Sequence, residues 1–97
     1  MFNFKLTSVE KDLVLTVCDS ELIDKVFEEG ELMLEVRANF YGSDTCDERK
    51  LREMCRDATI INAVGEKCIS VLIEEGMIDE DKILRIGGVP HAQMVLL

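Results

Sequence analysis

One stretch of this chain gathers residue types that could recognise a ligand: Ile86-Gly87-Gly88-Val89-Pro90-His91-Ala92-Gln93. It holds the only proline and the only histidine among 97 residues. Paired glycines reach backbone angles closed to other residues and let another backbone or a ligand approach closely. Pro90 fixes its own φ and holds Val89 towards extended conformations, so the segment reads as a stiff turn between strands. In an extended chain His91 and Gln93 point to the same face. An imidazole beside an amide can bind a base edge, a phosphate or a protein carbonyl. Acid–base catalysis by His91 would need a titrating partner. No Ser, Cys, Asp or Glu next to it in the sequence supplies one, so no catalytic residues are assigned. The plainer reading makes Gly87 and Gly88 a tight connection and His91 a structural hydrogen-bonder.

Three other segments could carry chemistry. Asn62-Ala63-Val64-Gly65-Glu66 is read as the opening of a helix, where Gly65 would expose backbone N–H groups that bind anions. Glu66 in the same turn opposes a phosphate, and no phosphate-loop pattern is present, so capping is the competing reading. In Phe40-Tyr41-Gly42, Tyr41 could stack on a base or a partner side chain, but an aromatic pair beside a glycine more often anchors a loop onto the core; Phe40 is expected to do so, which leaves the role of Tyr41 open. Arg49, Arg52 and Arg56 lie on one helical stripe and could follow a nucleic-acid backbone. Glu48, Glu53 and Asp57 interleave with them, and pairs such as Glu48–Arg52 and Arg49–Glu53 favour a self-neutralised face.

Cysteines stand at positions 18, 46, 55 and 68. No two are spaced as a Cys-x-x-Cys pair, which argues against zinc, and a chain with a full-sized core needs no disulfide framework. Buried thiols are expected, with Cys55 in the core and Cys46 in a first helical turn rich in acidic residues. No metal and no cofactor is assigned.

The elements that must position these residues follow from periodicity. Phe2, Phe4 and Leu6 alternate with polar residues, and Leu13-Val14-Leu15-Thr16-Val17-Cys18 is apolar and β-branched, so the two predict an opening hairpin. Leu22, Ile23, Val26 and Phe27 fall at helical spacing after the capping residues Asp19 and Ser20, with Gly30 as the stop. Leu32, Leu34 and Val36 predict a third strand. Residues 39–44 read as a loop, and Thr45-Cys46-Asp47-Glu48 as a capping box for a helix carrying Leu51, Met54, Cys55 and Ala58 inward. Residues 59–61 read as a loop or small strand, and 62–75 as a last helix stopped by Gly76. Strands at 83–86 and 92–97 close the chain. The order β-β-α-β-α-α-β-β predicts one α+β domain over residues 1–97. Its expected form is a two-layer sandwich with a mixed or mostly antiparallel sheet and the helices on one face.

The totals agree. The apolar fraction of 47% is enough for a core. The N-terminus alternates instead of forming the apolar run of a secretory signal, and no stretch approaches the ~18 apolar residues of a membrane span. A cytoplasmic protein with no membrane contact is expected. The net charge of −9 repels polyanions, so non-specific DNA binding is disfavoured and a partner with basic surface suits the chain.

Phe40-Tyr41-Gly42, Asn62-Ala63-Val64-Gly65-Glu66 and above all the 86–93 segment resemble small archaeal proteins grouped as domain of unknown function 424, over essentially the whole length. The resemblance implies a two-layer α/β sandwich of archaeal, cytoplasmic origin, in the company of translation genes. The four cysteines depart from the family pattern. The expected function is therefore a non-enzymatic interaction module with a protein or ribonucleoprotein partner, associated with translation or structured RNA. The alternative is a small-molecule site or enzyme pocket around the 87–93 turn, lined by Tyr41, Asn62, His91 and Gln93.

Overall fold

The computed structural model describes residues 1–96. Its α+β architecture centres on a six-stranded sheet in the order β5-β1-β2-β6-β8-β7, with a separate two-stranded hairpin, β3-β4. The strands are β1 (Phe2–Val9), β2 (Asp12–Asp19), β3 (Val26–Glu29), β4 (Leu32–Glu35), β5 (Asp44–Cys46), β6 (Ile60–Val64), β7 (Leu84–Ile86) and β8 (Val89–Val95). The helices are α1 (Ala38–Tyr41), α2 (Glu48–Asp57) and α3 (Glu66–Glu74). Only the β2–β6 pairing is parallel among the described ladders; the rest are antiparallel. The predicted mixed, mostly antiparallel sheet is present.

The period-two pattern decides which face is the core. Leu15 and Val17 of β2, Ile61 and Ala63 of β6 and Ala92 of β8 point to one side, where Leu51, Met54 and Cys55 of α2 and Ile69 and Leu72 of α3 cover them. Burial of the Val, Leu, Ile and Met side chains among them contributes roughly 1.5–3 kcal/mol each. Arg52 ties the two helices together. Its guanidinium donates to Glu48 one turn earlier and to Glu74 and Glu75 at the end of α3. A second, smaller core lies on the opposite face, where Cys18, Val64 and Ile86 meet Leu34, Val36 and Tyr41.

That second core explains one correction. Residues 20–29 do not form a helix: Ser20–Leu22 is a single 3-10 turn, and Val26–Glu29 is strand β3, hydrogen-bonded in register to β4. The helical spacing is real but serves another end, since Leu22, Ile23 and Phe27 pack on the second core while Val26 is exposed. Gly30 (φ +61°) is the first of two residues that turn the hairpin. A left-handed glycine serves a hairpin turn and a helix C-terminus equally well.

Four smaller corrections follow. Residues 39–44 are not simply loop, since α1 and the start of β5 lie there. The cap of α2 is Asp47, whose carboxylate accepts from Lys50 N at 2.9 Å. Thr45 and Cys46 are strand residues instead of a capping box and a first helical turn. Asn62 and Val64 belong to β6, so α3 begins at Glu66. The last strand starts earlier than expected, at Val89, and Leu97 lies outside the described residues.

Candidate functional site

Register, more than sequence proximity, assembles the polar residues. On the sheet face away from α2 and α3, Lys5, Thr16, Asn62 and Gln93 are successive cross-strand partners on β1, β2, β6 and β8. They form a polar row across four strands. Gln93 Nε2 donates to Asn62 Oδ1 at 2.8 Å. That bond fixes both amides and leaves Gln93 Oε1 as acceptor and Asn62 Nδ2 as donor for an incoming group. Lys5 Nζ donates to the Asn39 carbonyl at 2.9 Å, at the rim.

Two rows flank this one. Towards one end of the strands, Thr7, Val14, Ile60 and Val95 are partners, with Val95 and Thr7 exposed and Val14 and Ile60 half-buried. Towards the other end, Asn3, Cys18, Val64 and His91 are partners. His91 is half-buried, and burial pushes its imidazole below the ordinary value of 6.5. The ring is thus neutral at neutral pH, with one nitrogen to donate and one to accept. The Cys18–Val64 end of this face lies under the second core and Thr16 is buried, so its open part is the Asn62–Gln93 pair with Lys5, Thr7 and Val95, and the half-buried His91 stands at the border between the two.

The aromatic pair reverses expectation. Tyr41 is the buried anchor, at 3% exposure, and Phe40 is the exposed ring at 51%. The two meet edge to face, with centroids 4.9 Å apart. Burial, with the neighbouring Cys18 and Cys68 thiols, pushes the Tyr41 hydroxyl up to about 12. Tyr41 therefore shares the face of Asn62, His91 and Gln93 but lies beneath it, whereas Phe40 stands at its edge. Gly42 (φ +102°) explains the inversion. A Cβ there would sit 1.8 Å from the Phe4 carbonyl oxygen, so the backbone presses flat on β1 and delivers Tyr41 inward.

Gly87 and Gly88 are elsewhere. With φ of +58° and +83° they are the two central residues of the β7–β8 hairpin turn, closed by the Ile86–Val89 pair, a turn that needs positive φ at both positions. Gly87 N donates to Glu29 Oε1 at 3.0 Å, and a Cβ at Gly87 would lie 3.1 Å from the Glu28 carbonyl oxygen. The close backbone approach that Gly87 permits is filled by the protein's own β3-β4 hairpin, whereas Gly88 faces open space. Glu66 is paired with Arg85, which also donates to the Gly88 carbonyl. The arginine beside it holds the Glu66 carboxyl below its usual range.

The anion reading at the start of α3 is answered from within the chain. Asp19, the last residue of β2 and buried at 3% exposure, accepts from Lys67 N at 3.0 Å and Cys68 N at 2.9 Å. Its carboxylate occupies the place an external anion would take. Gly65 (φ +116°) makes room for it: a Cβ there would lie 2.5 Å from Asp19 Cγ. Asp19 reads from the sequence as a capping residue, but for the segment that follows it, not for a helix that begins at residue 66.

The basic stripe is neutralised as its spacing implies. Arg49 pairs with Glu53, Arg52 with Glu48, Glu74 and Glu75, and Arg56 with Glu75. All four cysteines are buried and free, and burial raises each thiol, Cys18 to about 12. Among the described residues, no group of His, Cys, Asp and Glu is arranged to hold a metal ion, and no helix is long and apolar enough to cross a membrane.

A family model described as a protein of unknown function (DUF424) matches residues 7–97. The crystal structure of an uncharacterised conserved protein from Methanopyrus kandleri is similar, with 28% identity, a TM-score of 0.80, and coverage of 99% of this chain and 91% of that one. No curated protein matches the sequence.

Proposed function

We propose that this chain, which belongs to the DUF424 family, is a non-enzymatic interaction module that engages its partner through the open face of the six-stranded sheet. The observation that carries this reading is the Asn62–Gln93 amide pair, held in register between β6 and β8. A side-chain hydrogen bond fixes both groups before any partner arrives, which lowers the ordering cost of recognition. The neutral His91 beside it and the exposed Val95 and Phe40 at the margins add a second polar group and an aliphatic and aromatic rim. Such a mixture suits a polypeptide surface. The charge of −9 favours the protein component of a ribonucleoprotein over its phosphate backbone. The archaeal source of the Methanopyrus kandleri neighbour supports an archaeal setting. Within it, the translation machinery is the place to look.

Co-sedimentation with ribosomal subunits from an archaeal lysate tests the reading. The wild-type chain is expected to travel with a subunit at low salt, and the double variant Asn62→Ala/Gln93→Ala to remain at the top of the gradient. A wild-type chain found only in the soluble fraction at low salt overturns the proposed setting. Equal sedimentation of both proteins overturns the proposed face. The second reading, a small-molecule site, keeps Asn62, His91 and Gln93, which share one face, and loses Tyr41, which is buried. It predicts binding of a low-molecular-weight fraction of the lysate that the same double variant abolishes.

A further inference from the structure

We propose that a groove on the other side of the sheet, between α3 and residues 80–85, is a second docking site that takes a basic segment with aliphatic anchors from a partner protein. The groove is a cavity of about 790 Å³ whose apolar wall is formed by Ile69, Ile73 and Ile83. Ile73 and Ile83 are only half-buried, although both pack on the main core. On α3 the residues Glu66, Ile69, Ile73 and Glu74 fall at i, i+3, i+7 and i+8, so the groove follows one stripe of the helix for roughly 12 Å. That length accommodates about two turns of a helix.

Charge selects the occupant. Glu74 and Glu80 line the groove and are both exposed; Glu74 is committed to Arg52 at 2.7 Å, so Glu80 is the lining carboxylate left to meet a cation. Glu80 has no ion-pair partner among the described residues, and Asp79 and Asp81 flank it in the chain. Among the described residues Arg85 is the one cation lining the groove, and it is committed to Glu66 and the Gly88 carbonyl. The rim is therefore acidic at its Glu80 end, where Asp79 and Asp81 add to it, over an aliphatic floor. Lysine or arginine side chains carry aliphatic stems that lie on apolar surface while their charged heads reach carboxylates. A segment with aliphatic residues one turn apart and basic residues beside them satisfies floor and rim together, whereas a nucleic acid is repelled by the same carboxylates.

The probe is a fluorescein-labelled amphipathic helical peptide of about ten residues built from leucine and lysine, read by anisotropy at low salt. Glu80→Lys is expected to weaken binding about fivefold, and Ile83→Ser to weaken it similarly. Glu31→Lys, which makes the same change in net charge on the β3-β4 turn, is expected to leave affinity within about twofold. Equal weakening by Glu80→Lys and Glu31→Lys would show attraction by net charge alone and overturn the site, as would failure of the wild-type chain to bind. Loss of peptide binding in Asn62→Ala/Gln93→Ala would also overturn it, by assigning the peptide to the sheet face. The groove and the sheet face lie on opposite sides of the sheet, so either can fail alone.

Discussion

Replacing Gly65 by alanine is expected to destabilise the domain through Asp19, a residue 46 positions away in sequence. Gly65 has φ +116° and ψ 147°, a region open essentially to glycine, where another residue is strained by about 1–3 kcal/mol. The new Cβ would lie 2.5 Å from Asp19 Cγ and 2.6 Å from Oδ2. Asp19 is buried at 3% exposure, so its carboxylate can yield only by leaving the cap. Losing an N-cap costs about 0.5–2 kcal/mol, and an unsatisfied buried N–H such as that of Cys68 costs about 1–3 kcal/mol. Gly65→Ala should therefore cost about 3–5 kcal/mol, against a typical total stability of 5–15 kcal/mol. Asp19→Ala, which removes the cap without the collision, should cost about 2–3 kcal/mol. In the double variant the cap is lost once, not twice. The two effects should fall short of their sum by about 2–3 kcal/mol, the cost of the cap itself, well outside the additivity of independent sites. Urea unfolding of the four proteins, followed by circular dichroism, gives all three numbers. Additivity within about 0.5 kcal/mol would refute the reasoning, because it would mean that Gly65 does not act through Asp19.

Stability should also depend on pH from both sides. Arg85 lowers the Glu66 carboxyl, and Arg56 and Arg52 lower that of Glu75, below the ordinary 4.5. Their contribution is present above that value and is lost as pH falls through the folded one. His91, lowered from 6.5 by burial, contributes in the same direction, while the thiols, raised from 9.0, contribute below that value and lose it as pH rises. The urea midpoint should therefore be highest between about pH 6.5 and 9 and fall on either side; a midpoint still rising above pH 9 would contradict this. Ellman's reagent at pH 8 should label none of the four cysteines in the folded chain and all four in guanidinium, and rapid labelling of any folded thiol would contradict their burial. Arg52→Gln should lower the thermal midpoint more than Arg49→Gln, because Arg52 joins three carboxylates on two helices and Arg49 meets one exposed partner. Equal shifts would deny that Arg52 staples α2 to α3.

What could be read from the sequence was local. Alternation gave the opening hairpin, and Leu51, Met54 and Cys55 gave the buried face of α2. The Glu48–Arg52 and Arg49–Glu53 pairs followed from their i,i+4 spacing. What escaped depended on partners far along the chain. Gly30 signals a left-handed residue, but whether it ends a helix or turns a hairpin is decided by β4 and the second core. Asp19 signals a cap, but the helix it caps is brought to it by the parallel β2–β6 pairing. Of two adjacent aromatics, Gly42 against β1 decides that Tyr41 turns inward. The candidate site divided for the same reason. Asn62 and Gln93 meet because their strands pair in register, whereas Gly87, Gly88 and Glu66 are used up in contacts with the protein's own hairpin and arginine.

The sheet face is tested most directly by photo-crosslinking. A benzophenone side chain placed at Val95, on the margin of the open face, is compared with one placed at Glu53, on the outer surface of α2. In the presence of archaeal ribosomal subunits, the group at position 95 is expected to crosslink to a protein component and the group at 53 is not. Crosslinks from position 53 with none from position 95 would contradict the assignment of the sheet face as the partner surface.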